Sequence, residues 1–126
     1  MATDPVDAAT VILLRSGADS AAAAIEVLLV RRNRRSSFVP GYYVFPGGVL
    51  DPEDWEPGAE RFIRGLDRRR AAEILRDLSP SEKALGAWVG GIRETFEEVG
   101  LLIACFADGS PVAIRTDDER RRFGDY

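Results

Sequence analysis

Residues 79–100 carry the feature that most constrains how this chain can fold. The stretch Ser79-Pro80-Ser81-Glu82 has a Ser N-cap, a Pro in the first turn and a Glu three residues after the cap, which is the pattern of a capping box. Gly100 is typical of a residue that ends a helix. The spacing therefore predicts one long helix that begins just after Ser79 and ends at about Val99.

Three glycines lie inside the predicted helix: Gly86, Gly90 and Gly91. Each lowers helix stability by up to about 1 kcal/mol relative to alanine. Gly86 and Gly90 are four residues apart, so they share one face of the helix. A face without side chains lets another backbone approach closely, and we expect such an approach here.

The end of the same helix is crowded with carboxylates. Glu94 and Glu98 are spaced i, i+4, and Glu97 lies between them on the same side. A helix C-terminus already carries partial negative charge, so this arrangement is unfavourable unless a cation is present. Mg²⁺ prefers oxygen ligands and would relieve the repulsion, so the three glutamates are candidate ligands of a magnesium ion. The alternative interpretation is an acidic helix end that is exposed to solvent. Arg93 can pair with Glu97 at i+4 and hold its carboxylate.

Before this helix, the pattern predicts strands and one broken helix. Apolar runs at 9–14 and 25–30 flank a turn and indicate a β-hairpin. A third strand is expected at 42–45, and Pro46-Gly47-Gly48 is expected to leave regular structure. Residues 51–58 are interpreted as a loop, and 60–78 as a helix broken near Gly65 or Asp67.

After the helix, short elements are expected. The pattern predicts strands at 101–106 and 112–114 around a turn at 108–111, and a helix that begins at Thr116 or Asp117.

Composition narrows the chemistry. The chain has 126 residues, the size of one domain, and we interpret residues 1–126 as a single domain. It lacks histidine, which excludes Ser-His-Asp catalysis and His-ligated zinc. Its one cysteine, Cys105, excludes intrachain disulfides and is expected to be a buried small hydrophobe. The net charge of −4 argues against a nucleic-acid partner.

The N-terminus gives no sign of targeting. Residues 1–9 contain no basic residue, and the apolar run 8–14 is far too short to span a bilayer. We therefore expect no membrane partner and a cytoplasmic location.

The acidic stretch resembles the Nudix box, G-x5-E-x7-R-E-U-x-E-E-x-G-U, in which U is a bulky aliphatic residue. The matching residues are Arg93, Glu94, Glu97, Glu98, Gly100 and Leu101. Thr95 occupies a position that is usually aliphatic. The run Phe45-Pro46-Gly47-Gly48 resembles the strand end that precedes the box. The resemblance implies an α+β fold, with a mixed β-sheet sandwiched between α-helices.

The chain departs from the box in its spacing. Gly48 and Arg93 are 45 positions apart, which is 31 more than the pattern has. We assign the excess to a helical insert at about 52–78. The first glutamate of the box then has no aligned counterpart, and Glu82 is too far from its place to take that role. Only 25 residues follow Leu101, so the C-terminal part of the fold is expected to be missing, or to be supplied by a second chain or a homo-oligomer.

The family resemblance implies a metal-dependent hydrolase of diphosphates linked to another group. Mg²⁺, or Mn²⁺ as an alternative, would be bound by Glu94, Glu97, Glu98 and the carbonyl of Gly47. We assign the catalytic roles to Glu94, as the general base, and to Arg93.

Substrate contacts are assigned to a basic loop and to the glycine pair. Arginine forks match phosphate oxygens, so Arg32, Arg34 and Arg35 are candidates for binding a nucleotide diphosphate, together with Gly48. For at least two of the loop arginines, a solvated basic loop is the alternative.

The long insert resembles the branch of the family that contains coenzyme A diphosphatases. Leu28, Leu29, Arg32 and Gly41 fit parts of an upstream signature of coenzyme A-cleaving members. We expect coenzyme A or an acyl-CoA as the small-molecule substrate. The alternatives are another nucleotide (ADP-ribose, NADH or a dinucleoside polyphosphate), a non-catalytic ligand-binding module, or an inactive fragment of a longer enzyme.

Overall fold

The computed structural model describes residues 4–17, 24–32 and 41–124. Within these ranges six short strands occur in chain order: β1 (Ala8–Thr10), β2 (Leu14–Ser16), β3 (Ile25–Val27), β4 (Val30–Arg31), β5 (Tyr43–Val44) and β6 (Gly47–Val49). Three α-helices follow: α1 (Arg68–Ile74), α2 (Glu82–Val99) and α3 (Asp117–Gly124). Two 3-10 helices, Pro52–Trp55 and Ala59–Phe62, lie between β6 and α1. The α+β class expected from the sequence is confirmed.

The described strands form three antiparallel pairs: β1 with β6, β2 with β3, and β4 with β5. The predicted hairpin is confirmed by the β2–β3 pair, in which Leu14 lies opposite Val27. The run 9–14 is not one strand, however, because β1 ends at Thr10 and pairs with β6 rather than with β3. A parallel pair, which a mixed sheet would contain, does not occur among the described residues.

The expectation that Pro46-Gly47-Gly48 leaves regular structure is wrong, since Gly47 and Gly48 begin β6. Gly47 has φ +151° and lies so close to β1 that an added Cβ would overlap the Ala9 carbonyl oxygen. The Pro46 carbonyl accepts a hydrogen bond from Val11 N at 2.9 Å, which continues the pairing past the end of the strand. Glycine is compatible with the sheet here because it allows both the positive φ and the close approach.

Helix α2 ends as expected but begins later than predicted. Gly100 has φ +68°, and its N–H donates to Phe96 O at 2.8 Å, as in a left-handed helix end. The prediction of a Ser79 cap is wrong, because the helix begins at Glu82 after Ser81. Pro80 O instead accepts from Lys83 N at 3.0 Å, so the backbone of the preceding turn satisfies a first-turn donor that a cap would serve.

The predicted break in the helix at 60–78 is confirmed. The 3-10 helix Ala59–Phe62 is followed by Gly65 at φ +83°, and Asp67 then caps α1 by accepting from Arg70 N at 2.7 Å. Helix α1 packs on α2 through a small core of fully buried residues: Ala71, Ala84 and Leu85. The partly buried Ile63, Leu66, Ala72 and Leu75 surround this core.

The other sides of α2 face β1, β6 and the 3-10 helix Pro52–Trp55. The helix glycines allow this packing: a Cβ at Gly86 would lie 3.0 Å from Trp55 Cβ, and one at Gly91 would lie 3.0 Å from Val11 Cγ2. The expected approach of another backbone is confirmed at Gly86, where an added Cβ would lie 3.4 Å from the Asp54 carbonyl carbon, whereas the atoms nearest to Gly90 belong to the side chains of Asp54 and Leu50. α2 is thus the central element against which the strand pair and the segment after β6 are placed.

The strands predicted at 101–106 and 112–114 do not form. Residues 101–114 are all described, and they contain one isolated antiparallel bridge, between Cys105 and Pro111. A strand needs a neighbour for its backbone groups, and here the segment pairs only with itself around the confirmed turn at Gly109 (φ +87°). Cys105 is exposed, so its expected burial is wrong. The helix predicted from Thr116 or Asp117 is confirmed as α3.

Candidate active site

The acidic end of α2 lies against the glycine pair that begins β6. Glu94 extends over Gly48, where an added Cβ would lie 2.6 Å from Glu94 Oε2. Gly47 N donates a hydrogen bond to Glu98 Oε2 at 3.2 Å. The structure therefore brings together four of the residues that the sequence assigned to the site, across 51 positions of sequence between Gly47 and Glu98.

Arg93 is the centre of an ion-pair network beside these glutamates. Its Nε donates to Asp54 Oδ1 at 2.9 Å, and its Nη2 donates to Asp54 Oδ2 at 3.0 Å. Nη2 also donates to Val49 O at 3.2 Å and lies 3.4 Å from Asp51 Oδ2. The two parallel bonds to Asp54 form a bidentate pair, which fixes the plane of the guanidinium group.

The third nitrogen of Arg93 faces two of the box glutamates. Nη1 donates to Glu94 Oε1 at 3.0 Å and to Glu97 Oε2 at 3.3 Å. The expected i, i+4 pairing of Arg93 with Glu97 is confirmed. Because each nitrogen of its guanidinium is bonded to protein groups, Arg93 acts in this arrangement by positioning carboxylates.

The pKa of Arg93 is raised above its ordinary value. The largest cause is the hydrogen bond to Asp54, which outweighs the opposing effect of desolvation, and the bond to Glu94 adds to it. The guanidinium therefore keeps its charge at every pH at which the protein is folded.

Asp54 is the site residue that the sequence analysis missed. Its side chain is only 2 % exposed, and Oδ2 accepts from Asp51 N at 2.9 Å as well as from Arg93. Asp54 stands six positions after Gly48, where the box pattern G-x5-E places its first glutamate. The inference that this position has no counterpart is therefore wrong, because an aspartate fills it.

The count from Gly48 was the signal that could have found Asp54. The insert predicted at about 52–78 begins too early, because the distance from Gly48 to Arg93 alone does not show where the extra residues lie between them. The structure places the extra residues between Asp54 and Arg93, which are 39 positions apart and joined by the ion pair. The two residues that flank the insert, Asp54 and Arg93, are therefore in direct contact.

The donor set suits a magnesium ion that is shared with a phosphate substrate. No group of three or more acidic, cysteine or histidine side chains is arranged as a metal site within residues 4–17, 24–32 and 41–124. Mg²⁺, however, is usually bound by one or two carboxylates together with substrate phosphates and water. Glu94 and Glu98 supply hard oxygen ligands on one helix end beside Gly47 and Gly48, so these residues fit such an ion.

The proposed substrate arginines are only partly described. Arg32 follows β4, and its backbone N–H donates to Tyr42 O at 2.9 Å, which extends the β4–β5 pairing. Arg34 and Arg35 lie outside the described residues. Gly48 lies beneath the Glu94 carboxylate, so its part in substrate binding would be to leave space beside that carboxylate.

The arrangement agrees with a match to a known family. The family model of the NUDT19 Nudix domain matches residues 6–122. The chain belongs to this Nudix family. The family resemblance that the box suggested is therefore confirmed, and Asp54, Arg93, Glu94, Glu97 and Glu98 lie within the matched region.

Two curated relatives share this part of the family. The acyl-coenzyme A diphosphatase NUDT19 of Gallus gallus is 35% identical over 95 residues, and that of Xenopus laevis is 33% identical over 97 residues. Each alignment covers 62% of this chain and 25% of the relative. The chain thus corresponds to about a quarter of the length of these relatives.

A solved structure supports the fold. The crystal structure of a Nudix hydrolase from Alicyclobacillus acidocaldarius aligns with a TM-score of 0.62 and 31% sequence identity, and it covers 95% of this chain and 49% of that chain. The described residues therefore have a Nudix-type α+β fold that corresponds to about half of the solved chain. None of the helices among the described residues has the length and apolar character needed to cross a membrane.

Proposed function

We propose that this Nudix domain hydrolyses a diphosphate linkage in a nucleoside diphosphate derivative, with Mg²⁺ as cofactor and coenzyme A or an acyl-CoA as substrate. The observation that supports this most directly is the position of Glu94 and Glu98 against Gly48 and Gly47. Carboxylates that lie on one helix end directly against a glycine backbone can offer their oxygens to a metal ion that also binds phosphate. A solvated acidic helix end would not require this contact.

The glutamates and Arg93 would have different roles in the proposed reaction. Glu94, Glu97 and Glu98 would hold the cation together with the Gly47 carbonyl, and Arg93, whose Nη1 donates to Glu97 Oε2 at 3.3 Å, would orient the Glu97 carboxylate. When bound, Mg²⁺ would neutralise the diphosphate and lower the pKa of a bound water. Glu94 is the candidate general base that accepts the proton of the attacking water, since Arg93 fixes its orientation from the other side.

The substrate class rests on the relatives and on the insert. Both curated relatives carry the name acyl-coenzyme A diphosphatase, and they align at 35% and 33% identity. The insert between Asp54 and Arg93 is the feature that first suggested this branch. Arg32, Arg34 and Arg35 are proposed to bind phosphates of the substrate, because a guanidinium fork matches phosphate oxygens. We propose Mn²⁺ as a second cation that the same oxygen ligands accept.

The test is a hydrolysis panel with the purified chain of 126 residues. Coenzyme A, an acyl-CoA, ADP-ribose, NADH and a diadenosine polyphosphate would each be incubated with and without Mg²⁺, and the products separated by liquid chromatography and mass spectrometry. Glu98→Gln tests the metal site, because it keeps the size of the side chain and removes the charge. Glu82→Gln, at the opposite end of α2, is the matched control.

The proposal predicts metal-dependent cleavage of the coenzyme A compounds, which Glu98→Gln abolishes and Glu82→Gln retains. If only ADP-ribose, NADH or the diadenosine polyphosphate were cleaved, the proposed substrate would be wrong, but the chain would still be a diphosphatase. Binding of a compound without cleavage, or neither binding nor cleavage, would contradict the hydrolase role of this chain.

A further inference from the structure

Gly90, in the middle of α2, lies beside Asp54, although the pattern of the Nudix box assigns no role to this position. A Cβ added at Gly90 would lie 2.7 Å from Asp54 Oδ2 and 2.7 Å from Leu50 Cδ2. Both distances are far below van der Waals contact. Gly90 is buried, and Asp54 is 2 % exposed, so neither group has free space to move into.

Displacing the Asp54 carboxylate costs free energy, because three hydrogen-bond donors hold it. Arg93 Nε binds Oδ1, and Arg93 Nη2 and Asp51 N both bind Oδ2. A methyl group at Gly90 would therefore push against the oxygen that carries two of these bonds. Moving that oxygen releases Nη2 of Arg93, and the same guanidinium orients Glu94 and Glu97 through Nη1.

We propose that Gly90 is a positioning residue of the active site: its missing side chain lets the Asp54 carboxylate lie against α2, and through Arg93 this sets the orientation of Glu94. The inference rests on the proposed function in one respect: the orientation of Glu94 matters for hydrolysis only if Glu94 takes part in it. The contact itself stands on the geometry. An aspartate in place of the glutamate of the box pattern is one methylene shorter, which requires the segment after β6 to approach the helix closely, as it does at Gly86.

The matched control is Gly91. It lies next to Gly90 in the same helix and is also buried, but an added Cβ there would meet Val11 Cγ2 at 3.0 Å and Ala9 Cβ at 3.7 Å, away from Asp54. Both glycines gain the same intrinsic helix propensity when changed to alanine. A difference between Gly90→Ala and Gly91→Ala therefore reports the contact with Asp54.

The first measurement is the ¹H–¹⁵N signal of the Arg93 Nε–H group, identified by its loss in Arg93→Lys. A hydrogen bond to a buried carboxylate protects this proton from exchange with water. We expect Gly90→Ala to shift the signal and to speed its exchange, and Gly91→Ala to leave it unchanged. An unchanged signal in Gly90→Ala, or equal changes in both variants, would overturn the proposal.

The second measurement is hydrolysis. Groups that orient metal ligands typically change activity about 10–100-fold when they are removed. We expect Gly90→Ala to lower kcat by this factor with KM little changed, and the same substitution in an Asp54→Ala background to lower it no further. An equal additional loss in that background would show that Gly90 acts independently of Asp54 and would overturn the proposal.

Two outcomes separate this inference from its premises. If the wild-type chain cleaves no compound of the panel, the proposed function fails while the Arg93 signal still decides the role of Gly90. If Gly90→Ala does not fold, Leu50→Val in the same chain gives the methyl group room on the Leu50 side. The Arg93 signal is then expected to remain perturbed, and its full recovery would overturn the proposal.

Discussion

The carboxylate of Asp54 binds the guanidinium of Arg93 through two hydrogen bonds of 2.9 and 3.0 Å, across 39 positions of sequence. This pair closes the insert of the Nudix box at its base. It also connects the segment after β6 to the helix face that carries Glu94. Because of this ion pair, the residues of the Nudix box stay close together in space although a long insertion separates them in sequence.

Asp54→Asn should lower both stability and activity. The amide keeps the size of the side chain, but it loses the charge and replaces one of the two oxygens that accept from Arg93 with an NH2 donor. A hydrogen-bonded, mostly buried ion pair that loses one partner typically costs about 3 kcal/mol. Urea unfolding measures the loss of stability, and hydrolysis with a Mg²⁺ titration measures the loss of activity.

The control for Asp54→Asn is Asp51→Asn. Asp51 lies 3.4 Å from Arg93 Nη2, but its side chain is 57% exposed, so water screens the interaction. We expect a change in unfolding free energy of less than about 1 kcal/mol for this variant. Equal losses in the two variants would contradict the central place of Asp54.

The two glycines of β6 should respond in opposite ways to alanine. At Gly48 the added carbon meets the end of the flexible Glu94 side chain, so we expect reduced activity with a nearly unchanged melting temperature. At Gly47 it meets the β1 backbone at a φ of +151°, so we expect a clear fall in melting temperature. Thermal unfolding and hydrolysis of the two variants side by side would check this. A Gly48→Ala variant with full activity would show that Glu94 does not need its present position.

Glu98→Gln should stabilise the metal-free protein slightly while removing its response to Mg²⁺. Negative charge at a helix C-terminus is unfavourable, and removing one such charge typically gains about 0.3–1 kcal/mol. In Glu82→Gln the charge is removed from the first turn, where it is favourable, so the melting temperature should fall instead. Melting curves with and without Mg²⁺ measure both effects. A Mg²⁺-dependent rise in melting temperature that persists in Glu98→Gln would argue against Glu98 as a metal ligand.

The start of α3 should loosen in acid. Hydrogen bonds from the N–H groups of Arg115 and Thr116, and from the Thr116 hydroxyl, lower the pKa of Glu119 below its usual value of 4.5. A lowered folded-state pKa means that this stabilisation is fully present above pH 4.5 and is lost as the pH falls through the lower folded value. The protection of the Thr116 amide, measured as its exchange rate relative to the intrinsic rate at the same pH, should fall between pH 6 and pH 3. In Glu119→Gln this protection should not depend on pH.

Local sequence was sufficient where the interactions are local. The end of α2 at Gly100, the break at Gly65 and the start of α3 near Thr116 each depend on neighbours within one turn. The crowding of the three box glutamates likewise follows from helical spacing alone. The Ser79 cap is a wrong prediction although it is a local signal, because the helix begins at Glu82 and the Lys83 N–H in its first turn donates to the Pro80 carbonyl.

The residues that were missed depend on contacts between distant segments. Strand β6 exists because Gly47 and Gly48 pair with β1, about forty positions earlier, and no property of Pro-Gly-Gly alone indicates this. Asp54 is one of several carboxylates in its segment, and although the count from Gly48 singles out its position, its ion pair with Arg93 is visible only in the structure. The role of Gly90 is visible only once the position of Asp54 is known.

Hydrolysis of coenzyme A by the 126-residue chain, with and without Mg²⁺, tests the account most directly. Cleavage of the diphosphate would release adenosine 3′,5′-bisphosphate and 4′-phosphopantetheine, which mass spectrometry distinguishes from the substrate. The account predicts both products only when Mg²⁺ is present, and neither product from Glu98→Gln. If folded, metal-loaded protein leaves both coenzyme A and an acyl-CoA intact, or if Glu98→Gln cleaves them equally well, the proposed diphosphatase activity is contradicted.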